Sequence, residues 1–160
     1  MKQSSTIFLQ AVVILIAMVA LALLIRIPQT EGRAQNLDLI SIYTDPFILY
    51  GYAASVPFFV ALYKAFRFLG YIRQDETFSL RSVMAVRSIK QCAVVLGILI
   101  VAAGIYIMFF HAKEDDPAGF LGLCIVTTFA SVVVAVAASV LENILQHGAE
   151  LKQENQDLKK

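Results

Sequence analysis

The sequence predicts an all-α membrane protein, a bundle of four transmembrane helices. Apolar residues make up 59% of the 160 residues and charged residues only 16%, far from the average of soluble proteins. Four stretches stay apolar over about 20 residues, the length that crosses about 30 Å of hydrocarbon. The Lys and Arg residues lie between these stretches and not on a common soluble surface. Together these observations predict a polytopic membrane class.

The four spans and the tail form a single predicted integral membrane domain, residues 1–160. We place the spans at about 7–25, 47–69, 91–110 and 118–141, followed by a helical tail at 142–160. The first span is longer than the 7 to 15 apolar residues of a typical cleaved signal, which favours a retained helix. Asp45-Pro46 and Asp116-Pro117 place a capping carboxylate before a proline at the starts of spans two and four.

Proline and small residues predict the packing of the spans. Pro57 lies inside the second span, where its missing N–H predicts a helix kink that neighbouring helices tolerate. Close helix packing in lipid relies on small side chains, and these occur at Ala93, Gly97, Gly104 and through residues 130–139. The pattern favours tight contacts within the chain and also a homo-oligomer.

The distribution of Lys and Arg predicts the orientation of the chain. The N-terminus, residues 64–90 and the tail together carry ten Lys and Arg residues, whereas the other two connections carry three. Excess positive charge marks the cytoplasmic side of short connections. We therefore expect both termini and the central connection to lie in the cytoplasm.

The spans lack the residues that membrane chemistry requires. An ion or proton pathway usually has an ionisable side chain inside the membrane, and no Asp, Glu, Lys, Arg or His lies at the middle of a span. His111 and His147 lie outside the spans on opposite sides, which argues against haem. Cys92 and Cys124 lie about 20 Å apart in depth, beyond disulfide reach. We predict no enzymatic activity, catalytic residue, metal or cofactor, and no direct binding of nucleic acid.

The central connection contains a predicted interfacial elbow helix. From Ser79 the sequence is typical of an N-capped helix that leads into span three, with Leu80, Val83, Met84 and Val86 on one side and Arg81, Ser82, Ser88 and Lys90 on the other. Two interpretations remain open. Its cations bind anionic lipid headgroups, or they dock a cytoplasmic protein.

The outer turn between spans three and four is acidic. Glu114, Asp115 and Asp116 follow His111, a set that could bind a cation or respond to pH. A hard cation needs about six oxygen ligands, more than one short turn supplies. The structural alternative is that Asp116 caps the next helix and the other carboxylates keep the loop in water.

The tail has a weak coiled-coil pattern. Six tail residues are separated by alternating spacings of three and four, as in the seam of a short coiled coil with Asn at an a-type position. Either the tail is a solvated extension of span four, or the seam binds a partner or a second copy. The seam residues are Leu141, Ile144, Gly148, Leu151, Asn155 and Leu158.

Several short blocks from span two to the tail follow the pattern of a known family. The blocks are Pro57-Phe58, Ala61-Leu62-Tyr63, Phe66, Leu69, Tyr71-Ile72, Phe78-Ser79, Ser82-Val83, Ile89-Lys90, Asp115-Asp116-Pro117-Ala118-Gly119, Lys152 and Glu154-Asn155. They resemble a bacterial family of small inner-membrane proteins, domain of unknown function 2975. The family more often has Asp-Asp-Ala-Pro-Gly in the outer turn and an acid at position 156. Its members are often encoded beside a small helix-turn-helix regulator, and in comparable pairs the membrane protein holds the regulator inactive.

These observations lead to one principal hypothesis and one alternative. The principal hypothesis is a non-enzymatic inner-membrane protein that binds a cytoplasmic partner, a small helix-turn-helix regulator that it tethers or inhibits. The alternative is a small oligomeric channel or transporter for an unknown solute, with the outer carboxylates at its mouth and Pro57 at a hinge. The predicted partner-binding residues are Arg81, Arg87, Lys90, Lys152, Glu154 and Asn155.

Overall fold

The computed structural model describes residues 2–30, 46–110 and 118–158, and within these residues it contains four α-helices and no strand. The helices are α1 (Lys2–Thr30), α2 (Pro46–Arg73), α3 (Leu80–Phe110) and α4 (Ala118–Asp157). Each predicted span lies inside one helix. The predicted all-α class with four transmembrane helices is therefore confirmed.

Each helix contains a segment that is long and apolar enough to cross a membrane: Ser4–Arg26, Ile48–Arg73, Leu80–Phe109 and Gly119–Asp157. α4 has 40 residues, so its length is about 60 Å at 1.5 Å per residue, twice the hydrocarbon thickness. The apolar part of α4 ends at Leu141. The tail from residue 142 to residue 157 therefore continues the same helix past its apolar part.

α1 and α2 are antiparallel. The amide of Gln10 donates a hydrogen bond to the carbonyl of Phe66 at 3.4 Å, and the hydroxyl of Tyr52 donates to the carbonyl of Leu24 at 3.1 Å. Residues early in α1 therefore contact residues late in α2. Such side-chain bonds between helices help to hold membrane bundles together, because lipid provides little hydrophobic drive.

α3 packs on α2 and more extensively on α4. The hydroxyl of Tyr50 donates to the carbonyl of Leu99 at 2.6 Å and joins α2 to α3. α3 and α4 approach closely at glycines, since a Cβ placed on Gly97 would lie 3.5 Å from the Cβ of Ser131. Gly104 faces Cys124 in the same way, so α3 and α4 are also antiparallel.

The antiparallel order brings several charged segments to one end of the molecule. This end includes the turn between α2 and α3, the first turns of α3 and the tail part of α4. We call residues 73–90 and 142–157 the charged end. The start of α1 lies at the same end, because Gln10 lies against Gly70.

The small buried core also lies towards the charged end. Its buried members are Val86 from α3 and Ala138 and Leu145 from α4. Phe68 and Ile89 pack against them. Most other large apolar side chains of the described residues are exposed, as expected for helices that face lipid.

The structure locates the predicted proline and the predicted elbow within helices. Pro57 lies inside α2, and helix continues on both sides of it; the kink itself stays a prediction. The segment predicted as an elbow is helical from Leu80 and runs without a break into the span as the first part of α3.

Candidate functional site: the charged end

A buried carboxylate with two cations lies at the centre of the charged end. Glu142 of α4 has a side chain that is only 6% exposed. Its Oε1 lies 3.0 Å from Nε of Arg87, and its Oε2 lies 2.5 Å from Nζ of Lys90. Both cations come from α3, one turn apart, so they face Glu142 together. The cluster joins α3 to α4 at the point where the apolar part of α4 ends.

The burial of Glu142 follows from its position on α4. Ser131, Ala138 and Leu145 are the other buried residues of this helix, and they recur at helical spacing along the face that packs on α3. Glu142 lies four residues after Ala138 and three before Leu145, so it shares that face. A carboxylate on a packed face requires a cationic partner, which Arg87 and Lys90 supply.

The ion pairs determine the protonation of Glu142. The hydrogen bond from Lys90 is the largest effect that lowers the pKa of Glu142 below its ordinary value of 4.5, and the charges of Lys90 and Arg87 lower it further. Burial opposes this change. Glu142 is therefore ionised at neutral pH and holds both cations.

The cations themselves differ in exposure. The side chain of Lys90 is 32% exposed and that of Arg87 is 64% exposed. Arg87 uses Nε to contact Glu142, and much of its guanidinium remains accessible to a further acceptor. Two cations with one carboxylate leave one positive charge in excess at this position.

A second contact fixes the tail nearly two turns beyond the ion cluster. The ring of Phe78, from the α2–α3 turn, lies directly over Gly148 of α4, and a Cβ at Gly148 would overlap the ring. A larger residue at position 148 would displace the ring from this position. Phe78 and the Glu142 cluster hold the tail against the start of α3.

The turn that carries Phe78 is ordered by local hydrogen bonds. The amide of Ser82 donates to Oγ of Ser79 at 3.3 Å, the N-cap arrangement that the sequence predicts. The hydroxyl of Ser82 donates to the carbonyl of Glu76 at 2.9 Å. At the end of α2, Asp75 has φ of 58°, and the amide of Glu76 donates to the carbonyl of Tyr71 at 3.0 Å, as in a Schellman ending.

The predicted faces of the first part of α3 agree with the structure only in part. Val86 is buried, Val83 packs against the core and Arg81 is exposed. Ser82 is instead fully buried, whereas Leu80 and Met84 are exposed. The hydroxyl of Ser82 has a hydrogen-bond acceptor inside the turn, so burial costs little. The exposed apolar side chains face the surroundings at the membrane interface.

The predicted partner-binding residues fall into two groups. Arg87 and Lys90 are engaged by Glu142 within the chain. The other four are exposed and lie at the same end of the molecule. They are Arg81, Lys152, Glu154 and Asn155.

The predicted seam of the tail faces mostly away from the chain. Leu151 is 61% and Leu158 is 79% exposed, and Ile144 is also exposed. Gly148 of the seam contacts the ring of Phe78 from the α2–α3 turn. The buried face of the tail lies one position further on, at Glu142 and Leu145.

Some of the predicted features cannot be placed. Glu114, Asp115 and Asp116 of the outer turn lie outside the described residues, as does His111. Among residues 2–30, 46–110 and 118–158, no group of three His, Cys, Asp or Glu could hold a metal ion. Cys92 and Cys124 are free, partly buried thiols.

Sequence reasoning missed the residues that join the tail to α3. The sequence predicts for Glu142 only the start of the polar tail, and it predicts no contact between Phe78 and Gly148. A signal for Glu142 was present, because it continues the stripe of small residues Ser131, Ala135 and Ala138 at helical spacing.

Comparisons with known proteins agree with the fold class. A family model described as "protein of unknown function (DUF2975)" matches residues 27–157. The uncharacterized membrane protein YoaS of Bacillus subtilis strain 168 is 38% identical over 157 residues, which cover 97% of this chain and 98% of that protein. No solved structure matches the chain significantly. These findings show the predicted resemblance to be correct and establish a membrane protein.

Proposed function

We propose a function for this chain, which belongs to the DUF2975 family of proteins of unknown function. It is a non-enzymatic protein of the bacterial inner membrane that binds a soluble cytoplasmic protein at its charged end. The partner is a small helix-turn-helix transcription regulator. Binding holds the regulator at the membrane, where its DNA-binding surface is withheld from the chromosome.

The exposed apolar stripe of the tail is the observation that carries this proposal. Leu151 and Leu158 lie beyond the membrane segment on an otherwise polar helix, and both are exposed. Single exposed leucines are ordinary on protein surfaces. Ile144, Leu151 and Leu158 instead recur every seven residues on one side of the tail and are all exposed, and such an apolar face is typical of a helix that inserts into an apolar groove of another protein.

Polar residues beside the stripe supply specificity for the partner. Lys152, Glu154 and Asn155 are exposed next to Leu151. Polar and charged groups around an apolar centre are the usual composition of a protein interface. Arg81, at the start of α3, adds a cation at the same end.

The contacts of Glu142 and Phe78 support the proposal because they fix the direction of the tail. An isolated helix of about 16 residues is marginally stable in water. Here the tail begins inside a packed helix and is held by the ion cluster and by the Phe78–Gly148 contact. A helix that is already ordered loses less conformational entropy on binding.

The orientation of the charged end also supports a cytoplasmic partner. Residues 64–90 carry six Lys and Arg residues, and the tail from Glu142 carries three more. Positive residues near the ends of spans are retained in the cytoplasm during insertion. The tail is then accessible to a soluble regulator and to the chromosome that it controls.

Affinity purification with crosslinking from native membranes tests the proposal. The wild-type chain should recover a small helix-turn-helix protein, and the double variant Leu151→Asp, Leu158→Asp should lose it. Gln153→Asp is the matched control, because it adds a carboxylate to another face of the same helix. A chain truncated after Gln146 should also fail to recover the regulator.

A second arm separates the tail from the start of α3. Arg81→Glu reverses an exposed charge without touching Glu142, whereas reversal of Arg87 or Lys90 would also break the ion cluster. Unchanged recovery of the regulator by Arg81→Glu would exclude the start of α3 from the interface. Recovery of nothing but the chain itself would contradict the proposal and favour an oligomeric channel, to be tested by solute flux in proteoliposomes.

A further inference from the structure

An apolar groove of about 530 Å³ runs along the surface between α3 and α4. Its floor is made of small residues where the helices approach closely, among them Ala93, Gly97 and Ser131. Branched aliphatic side chains such as Ile98 and Val136 form the walls, and they are exposed. The groove is therefore narrow and open to the hydrocarbon of the membrane.

The length of the groove corresponds to one leaflet of the bilayer. On α3 it extends from Lys90 to Val101, and on α4 from Ser139 back to Thr128. Eleven residues of helix rise about 16 Å, close to half of the hydrocarbon thickness of about 30 Å. Val101 lies near the middle of the apolar part of α3, so the groove runs from the membrane surface to the midplane.

The surface end of the groove is cationic. Lys90 lines the groove, and Arg87 lies one turn further out with most of its side chain exposed. Glu142 neutralises one of these two charges. The remaining positive charge, with free guanidinium donors on Arg87, complements one phosphate that carries a single negative charge.

The shape of the groove favours a lipid chain over a second copy of this protein. In a two-fold dimer whose axis passes through the groove, one groove would face the other and leave a cavity. Dispersion contacts are lost across such a gap. A single acyl chain fills a narrow channel between two walls and ends, as the groove does, at the bilayer midplane.

From these observations we propose that the α3–α4 groove binds one anionic glycerophospholipid from the leaflet at the charged end. One acyl chain lies on the floor of small residues, and the phosphate lies at Arg87 and Lys90. The bound lipid covers the line of contact between α3 and α4. The proposal stands independently of a protein partner at the tail.

Native mass spectrometry of the full-length chain tests the groove. Delipidated protein is titrated with phosphatidylglycerol and with phosphatidylcholine of the same acyl chains, and bound lipids are counted by mass. Wild type should bind one phosphatidylglycerol at least fivefold more tightly than phosphatidylcholine. Ala135→Phe fills the groove and should weaken this binding at least tenfold, whereas Ala137→Phe, on the exposed side of the same helix, should change it less than twofold.

Two variants that each remove one positive charge test the position of the headgroup. Arg87→Gln should weaken phosphatidylglycerol binding about tenfold, about 1.4 kcal/mol, and leave phosphatidylcholine binding unchanged. Arg81→Gln removes the same charge outside the groove and should have no effect. Arg87 also pairs with Glu142, so unchanged binding of phosphatidylcholine by Arg87→Gln is the control that shows the groove to be intact. With that control, this pair of variants decides the question even where Ala135→Phe does not fold.

Three outcomes would overturn the proposal. Ala135→Phe could bind phosphatidylglycerol as well as wild type, which would exclude the groove. Arg81→Gln could weaken binding as much as Arg87→Gln, which would indicate a diffuse surface charge. The spectra could show a dimer that Ala135→Phe dissociates without any loss of bound lipid, and a second copy would then be the occupant.

Discussion

Replacing Glu142 with Gln tests whether the ion cluster holds the tail on α3. The substitution keeps the size of the side chain but removes the charge that pairs with Arg87 and Lys90. The side-chain amide of the new Gln also places N–H donors against the N–H donors of Arg87 and Lys90. We expect the contact between α3 and the tail to weaken and the free energy of unfolding to fall.

The expected magnitude follows from the exposure of the three groups. Removing one partner of a fully buried ion pair costs about 3–5 kcal/mol. Here the cations remain partly exposed and can regain water, so the lower cost of a charge-assisted hydrogen bond applies, about 1.5–3 kcal/mol. Glu150→Gln is the matched control, because Glu150 is exposed on the same helix and only contacts Gln146 at 3.5 Å; we expect a change within about 0.5 kcal/mol.

Unfolding in mixed micelles by titration with dodecyl sulfate, followed by circular dichroism, measures the effect. The pH dependence gives a second readout. Because the pKa of Glu142 is lowered in the folded protein, its contribution is complete above pH 4.5 and is lost as pH falls through the folded pKa. Wild type should lose this stability in acid, and Glu142→Gln should not. Equal stability of Glu142→Gln and Glu150→Gln at pH 7 would refute the role of the cluster.

The remaining predictions use the same unfolding assay. Gly148→Ala should displace the ring of Phe78, which a Cβ there overlaps. Its overpacking cost of about 1–3 kcal/mol is offset by about 1 kcal/mol of helix propensity, and adding Phe78→Ala should remove the cost and leave the gain. Gly51→Ala should stabilise by about 0.5–1 kcal/mol, since Gly51 has open space inside α2. Ser79→Ala should lower the free energy of unfolding by about 0.5–2 kcal/mol through the lost cap. Hydrogen exchange at the amide of Ser82 should become faster, because this amide donates its hydrogen bond to Oγ of Ser79.

The lengths of the helices were predictable because they depend on local sequence. Apolar length alone indicates a span, and the residues that start a helix act over one turn. Pro46 begins α2 and Ser79 caps α3, as the sequence predicts. Two helices are longer than the predicted spans. α3 includes the elbow before its span, and α4 includes the tail after its span, and both extensions consist of residues with ordinary helix propensity.

The orientation of each helix about its axis was not predictable in the same way. In a soluble protein the apolar face identifies the packed side, but a helix in lipid is apolar on every side. α1 shows this most clearly, with exposed apolar residues all around it, such as Phe8, Leu15 and Met18. Near the interface the rule even fails, because Ser82 is buried while Met84 is exposed.

By itself the sequence determined the membrane class, the number of helices and the family, since these depend on composition, apolar length and short local motifs. Only the tertiary structure decided which charges are available to a partner. Arg87 and Lys90 lie 52 or more residues before Glu142 in the chain, and no local pattern relates them. Antiparallel packing of α3 on α4 brings them together, since it sets Lys90 opposite the turn that follows the apolar part of α4.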